Sequence, residues 1–258
     1  ITVDIAATQA RSPGSVATGG VDFDMVGPGT TSVSATIPGF VILPTATVSN
    51  ITVSAPVLTL AAVNNVGSGL HESQFASLGA GQHGGVTVRI TSSNPGVLLV
   101  SPNATTPGTA FIDVPMANGS TSISYYTQGV EGQTGTSNIT ATAPGFTPPA
   151  PRTATVLQPA VDIIFLGTSF TTLDSNDVFQ LRTGLPNGQL TGMAVEQAIR
   201  PGGVAVTGTI VNTNVTVAQL TTTALTANSV QVSIAALQAR SPGTVATGGV
   251  AFDPLASG

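Results

Sequence analysis

The chain carries one of its own segments twice. Gln9-Ala10-Arg11-Ser12-Pro13-Gly14 returns as Gln238-Ala239-Arg240-Ser241-Pro242-Gly243, 229 residues later, and residues 16–21 return as 245–250 in the same register. Between residues 1–29 and 230–258, 19 of 29 positions are identical. A long fixed period is the mark of a protein built by stacking units. The sequence therefore reads as a window on a longer tandem array, holding one period plus an overlap. Arrays supply length, spacing and many weak contacts rather than one catalytic pocket.

The rest of the chain is written in strand patterns. Residues 85–91, 121–125, 137–142, 204–210 and 230–234 alternate apolar and polar side chains and are rich in valine, isoleucine and threonine. Period-two alternation in short runs indicates half-buried strands. Thirty glycines and 18 prolines punctuate them, at turns such as Asn94-Pro95-Gly96, Asn118-Gly119 and Pro144-Gly145. Glycine and asparagine tolerate positive φ there, and proline fixes φ. Short strands at regular spacing predict an all-β sandwich. Residues 72–78 and 193–199 are the two places where a turn or two of helix is expected.

The period divides in two. Thr140-Ala141-Thr142-Ala143-Pro144-Gly145-Phe146 matches Ser34-Ala35-Thr36-Ile37-Pro38-Gly39-Phe40, and both precede a Pro/Thr-rich stretch. Each reads as the closing segment of a domain. Upstream, Gly84-Gly85-Val86-Thr87-Val88 matches Gly202-Gly203-Val204-Ala205-Val206. Residues 55–157 are thus expected to form a complete domain. Residues 158–258 are the first part of a second, longer type, and 1–54 are the closing part of a preceding copy of it.

Taken together, these segments resemble bacterial immunoglobulin-like repeats, the tandem modules of invasin- and intimin-like adhesins and other large surface proteins. The likeness rests on Val-Thr-Val-Arg-Ile-Thr-Ser-Ser-Asn-Pro-Gly-Val at 86–97 and Asn-Ile-Thr-Ala-Thr-Ala-Pro-Gly-Phe at 138–146. It implies tandem immunoglobulin-like antiparallel β-sandwiches. It implies no catalytic residues, because such modules serve as stalks, tips and spacers alike. One departure is an insertion in the second type, residues 238–258 (and 9–29), set against the shorter 128–136 of the first. It reads as an ordered loop or an extra hairpin, kept alike by recent duplication or by contact with a neighbouring domain or chain.

Composition narrows the function. Charged residues make up 7% of the chain, against roughly 25% in ordinary domains, and all six cations are arginine. Nucleic-acid binding needs a cationic surface to replace phosphate counterions, and none is present. There is no cysteine, so no disulfide, and no apolar run long enough for a transmembrane helix.

Chemistry-bearing residues are few. His71, Glu72 and His83 lie in a glycine-rich stretch and fall short of a zinc set at suitable spacing. Asp22 and Asp24 form a pair, but the second copy has Ala251 and Asp253. Asp174, Asn176 and Asp177 are the calcium candidates, because clustered oxygen donors in a turn suit that ion. The same residues also build turns by bonding their own backbone. In Tyr125-Tyr126, alternation puts one ring inside and one outside.

The expectation is a non-enzymatic structural repeat segment of a long extracellular bacterial fibre, stalk or sheath, or alternatively an adhesive module of a large cell-surface adhesin. Calcium is the one cofactor considered. The expected partners are neighbouring copies, joined by strand complementation. Residues near 22–54 of one copy would complete the 158–258 segment of another, or the completion would lie within one longer polypeptide.

Overall fold

The structure is a computed structural model that describes residues 1–255. The last three positions of the 158–258 segment, and of the insertion at 238–258, lie outside the described residues. The chain divides into two compact units, Ile1–Ala55 and Pro56–Gly258. The described residues contain no α-helix, only strands and three short 3-10 turns.

The first unit holds a single antiparallel hairpin, β1 (Gly29–Ser34) and β2 (Thr47–Val53). None of its residues is buried. Val33, Phe40, Val41, Leu43 and Val48 stand exposed.

Residues 58–157 of the second unit supply nine strands: β3 (Leu58–Leu60), β4 (Val66–Gly67), β5 (His71–Leu78), β6 (Val86–Ser92), β7 (Leu98–Ser101), β8 (Phe111–Met116), β9 (Ser122–Gly129), β10 (Gly135–Thr142) and β11 (Arg152–Leu157). They form one sheet in the order β3-β5-β9-β7 and a second in the order β4-β11-β10-β6-β8. All these pairs are antiparallel except β4 with β11. Alternate side chains of both sheets, among them Leu58, Tyr125, Ile90 and Ile139, enter one core.

Residues 160–254 supply β12 (Ala160–Ile164), β13 (Asp177–Pro186), β14 (Met193–Glu196), β15 (Val206–Val211), β16 (Ala218–Thr221), β17 (Thr226–Ala227), β18 (Ser229–Ile234) and β19 (Val250–Pro254). One sheet runs β12-β13-β19-β16-β17 with β14 beside β13, and β15 pairs β18 separately. The order β12-β13-β19-β16 repeats β3-β5-β9-β7, and β15-β18 repeats β6-β8. In this second set, no strand among the described residues takes the places of β10 and β11.

Two sequence expectations are corrected. Residues 72–78 and 193–199 are not helical: they lie in β5 and in β14 with the extended segment after it. In β5 the inward positions are Gln74, Ala76 and Leu78. The polar Gln74 hid the alternation, yet it is satisfied where it sits. Its Oε1 accepts from Asn64 N at 3.0 Å, and its Nε2 donates to Asn64 O at 3.2 Å and Thr127 Oγ1 at 2.9 Å. The second correction concerns the insertion. Its residues 238–249 lie between β18 and β19, and 250–254 form β19 itself, so the extra length answers to the short β8–β9 connection at 117–121, whereas 128–136 belong to β9, β10 and their turn.

Candidate functional site

A densely bonded polar region joins the two strand sets of the second unit. It is built by the residues immediately after β14. Extended backbone exposes an N–H and a C=O at every residue, so a segment leaving a sheet must find new partners. Residues 197–203 find them on the turn between β4 and β5. His71 N donates to Ala198 O at 3.0 Å, and Arg200 N donates to Gly69 O at 3.0 Å. Leu70 and Ile199 form an antiparallel bridge, and both are buried.

Side chains complete this joint. Gln197 is 3% exposed. Its Oε1 accepts from Gly67 N at 2.8 Å, and its Nε2 donates to Asn65 O and to Glu72 Oε2, each at 2.9 Å. Arg200 Nε and Nη2 donate to the two oxygens of Glu131 at 2.8 and 2.6 Å. Burial works to raise the Glu131 pKa, but the Arg200 guanidinium and a backbone hydrogen bond together outweigh it and hold the carboxyl below its ordinary value. Gly202 takes φ +75°, and a Cβ there would come within 3.2 Å of Pro107. Only glycine meets both conditions easily.

The insertion backs this joint. Ile199 N donates to Gln238 O at 3.0 Å, and Leu237 N donates to Ile199 O at 2.9 Å. Thr183 N donates to Ala239 O at 2.8 Å. Ser241 is buried, and its Oγ accepts from Leu181 N at 3.0 Å. Arg240 Nε and Nη2 each reach a Glu196 oxygen at 2.8 Å. The repeated residues thus form an ordered loop that holds the segment docked on the neighbouring strand set.

The first copy of the repeat has the same local geometry. Gly19 and Gly248 take φ +94° and +97°, each closing a 3-10 turn. Thr8 and Leu237 both have positive φ, 73° and 67°. Gly20 N donates to Ser15 O at 2.7 Å, as Gly249 N does to Thr244 O at 2.8 Å. Yet residues 21–25 form no strand, whereas 250–254 form β19.

The sequence candidates are dispersed. Asp174 accepts from Thr171 N at 2.6 Å and Thr171 Oγ1 at 3.0 Å. Those two bonds, the backbone one first, hold its carboxyl below the usual range. Asp177 opens β13 and accepts from Gly167 N at 2.8 Å, and Asn176 is the residue just before it. Among the described residues, no group of three or more His, Cys, Asp or Glu side chains is placed to hold a metal ion. Asp22 and Asp24 are exposed on the first unit. His71 opens β5, and His83 lies beyond its other end, bonded through Nε2 to Ser120 O at 3.0 Å. Tyr125 is fully buried and Tyr126 half-buried against the His71 ring.

Sequence reasoning missed Gln197, Arg200 and Glu131. The one available signal was an arginine and a glutamate at loop positions in a chain nearly free of charge. No protein-family profile matches the chain, and a search of characterised proteins finds no match.

Proposed function

We propose that the chain is a structural repeat segment of a long extracellular fibre, stalk or sheath of bacterial type, that its two strand sets are immunoglobulin-like sandwiches, and that it associates with copies of itself. The observation that carries this reading is the 229-residue repeat, whose two copies take the same local conformation. The bonded joint supports it further, because an array under tension needs neighbouring modules held at a fixed angle. A surface with few ions packs against another copy without the desolvation penalty of buried charge.

Electron microscopy of the native material tests the reading. Smooth filaments with an axial repeat set by two modules are the expected result. Isolated flexible threads ending in a distinct tip would instead favour an adhesin.

A further inference from the structure

We propose that the β1–β2 hairpin of a second copy of this chain adds to the open edge of β15, taking the place that β10 and β11 hold beside β6. The proposal rests on the repeat-segment reading and names the surfaces that would join two copies.

The acceptor is an unpaired strand edge. β6 has β8 on one side and β10 on the other, whereas β15 pairs only β18 among the described residues. Asn94 and Asn214 fix the equivalence of the two strands. Asn94 O accepts from the N–H groups of Val97 and Leu98, and Asn214 O accepts from those of Val217 and Ala218. Ile90 therefore corresponds to Ile210, Thr91 to Val211 and Ser92 to Asn212. Ser92 N faces β8 by donating to Ala110 O, and Asn212 N faces the β18 side by donating to Asn228 O. Strand N–H groups alternate in direction, so those of Thr209 and Val211 point to the open edge.

The donor is a hairpin of matching design. Gly29 faces Val53 at the mouth of β1–β2, as Gly135 faces Val156 at the mouth of β10–β11. Beyond the strand, Phe40 N donates to Ile37 O at 3.1 Å and Phe146 N to Ala143 O at 3.2 Å. Gly39 and Gly145 take φ +83° and +78°. The same backbone turn thus comes after both strands. The surroundings differ: Ile139 is 0% exposed and Val33, its counterpart, 47%. Phe146 packs against the core and Phe40 is exposed. The donor carries core side chains without a core.

The order of the repeat points to a second copy. Residues 230–254 supply β18 and β19, and residues 1–25 repeat that segment. In the order of the repeat, the hairpin comes directly after those strands. Residues 29–53 and 206–212 contain no charged side chain. The edge therefore lacks the lysines and inward charges that guard natural edge strands, and main-chain bonds supply the attraction.

The first strand set also gives the register. Thr140 faces Thr91 and Ala141 faces Ile90. Transferred, Ser34 of one copy faces Val211 of the other, and Ala35 faces Ile210.

The chain has no cysteine, which makes the test direct. Ser34→Cys chains are mixed with Val211→Cys chains under mild oxidation, and a parallel mixture uses Thr207→Cys. Disulfides need Cα atoms within about 7 Å, so the 34–211 dimer should exceed the 34–207 dimer by at least about tenfold. Sedimentation velocity of the unmodified chain is run alongside, and it should show concentration-dependent association. Thr209→Pro removes an N–H aimed at the open edge and should abolish that association. Association without the 34–211 preference would overturn this edge pairing and leave the repeat-segment reading standing. A chain that stays monomeric at all concentrations and forms no cross-link would overturn both. A Ser34→Cys/Val211→Cys double variant that closes its disulfide within one chain would overturn the assignment to a second copy.

Discussion

Arg200 of the second strand set grips Glu131 of the first through two parallel N–H···O bonds of 2.8 and 2.6 Å. The arginine is 15% exposed and the glutamate 43%. A half-exposed pair is worth roughly 0.5–1 kcal/mol. Arg200→Ala should lower stability by about that amount at neutral pH. Because the Glu131 carboxyl is held below its ordinary value, the stabilisation is present above the unfolded carboxylate pKa and is lost as pH falls through the folded one. The gap between variant and parent in thermal unfolding should therefore close on acidification through about pH 4 and below.

Gln197 makes three hydrogen bonds across the same joint from a buried position. Gln197→Leu keeps most of the volume but leaves the buried Gly67 N without its partner, while the exposed Asn65 turns its carbonyl to water. An unsatisfied buried group costs about 1–3 kcal/mol. Denaturant unfolding should show a loss of roughly 1–3 kcal/mol, and limited proteolysis should reach residues 197–203 sooner than in the parent.

His71 sits at the joint with its Nδ1 buried and without a hydrogen-bond partner among the described residues. Burial, opposed by a weaker backbone interaction with Ile199, pushes its pKa down. The folded state thus favours the neutral ring. Its contribution is fully present above the unfolded histidine pKa of about 6.5 and is lost as pH falls from there through the lowered folded value. Melting temperature measured from pH 7.5 to 5 should fall in the parent. His71→Asn should flatten that step.

Tyr125 has a buried hydroxyl with no hydrogen-bond partner among the described residues, and burial raises its pKa to about 12. Removing an unpaired polar atom from a core relieves a desolvation penalty. Tyr125→Phe should be neutral or stabilising by up to about 1 kcal/mol, read from the denaturant midpoint. A loss larger than that would mean the hydroxyl is satisfied in solution.

Gly20 and Gly249 occupy the same place in the two copies of the repeat. A Cβ at either would lie 2.3 Å from a proline carbonyl oxygen, Pro13 O or Pro242 O. Gly249→Ala should destabilise the second unit by more than about 2 kcal/mol, because the loop it distorts is bonded to Ile199 and Thr183. Gly20→Ala introduces the same local clash in a unit without buried residues. It should leave the main unfolding transition unchanged.

The strand patterns were legible wherever apolar and polar residues alternated. Residues 85–91, 137–142 and 230–234 fall on β6, β10 and β18, and the Asn94 turn lies between β6 and β7 as its chemistry demanded. Reading failed where a buried position holds a polar residue. Gln74 and Gln197 belong to the interior because particular backbone groups await them, and those partners lie elsewhere in the chain. The joint was invisible for the same reason: Gln197 and Gly67 are 130 residues apart, and no local pattern links them.

The repeat separates the two contributions most cleanly. Residues 9–20 and 238–249 adopt one loop in two surroundings, because its turn bonds close within five residues and its glycines supply the positive φ. The sequence alone determines that much. Residues 21–25 and 250–254 share Val, Phe and Asp at matching positions, yet only the latter become a strand. β19 has β13 and β16 on either side to receive its N–H and C=O groups, and 21–25 have no such neighbours. A turn can satisfy its own backbone. A strand cannot, so the tertiary structure decides where strands form.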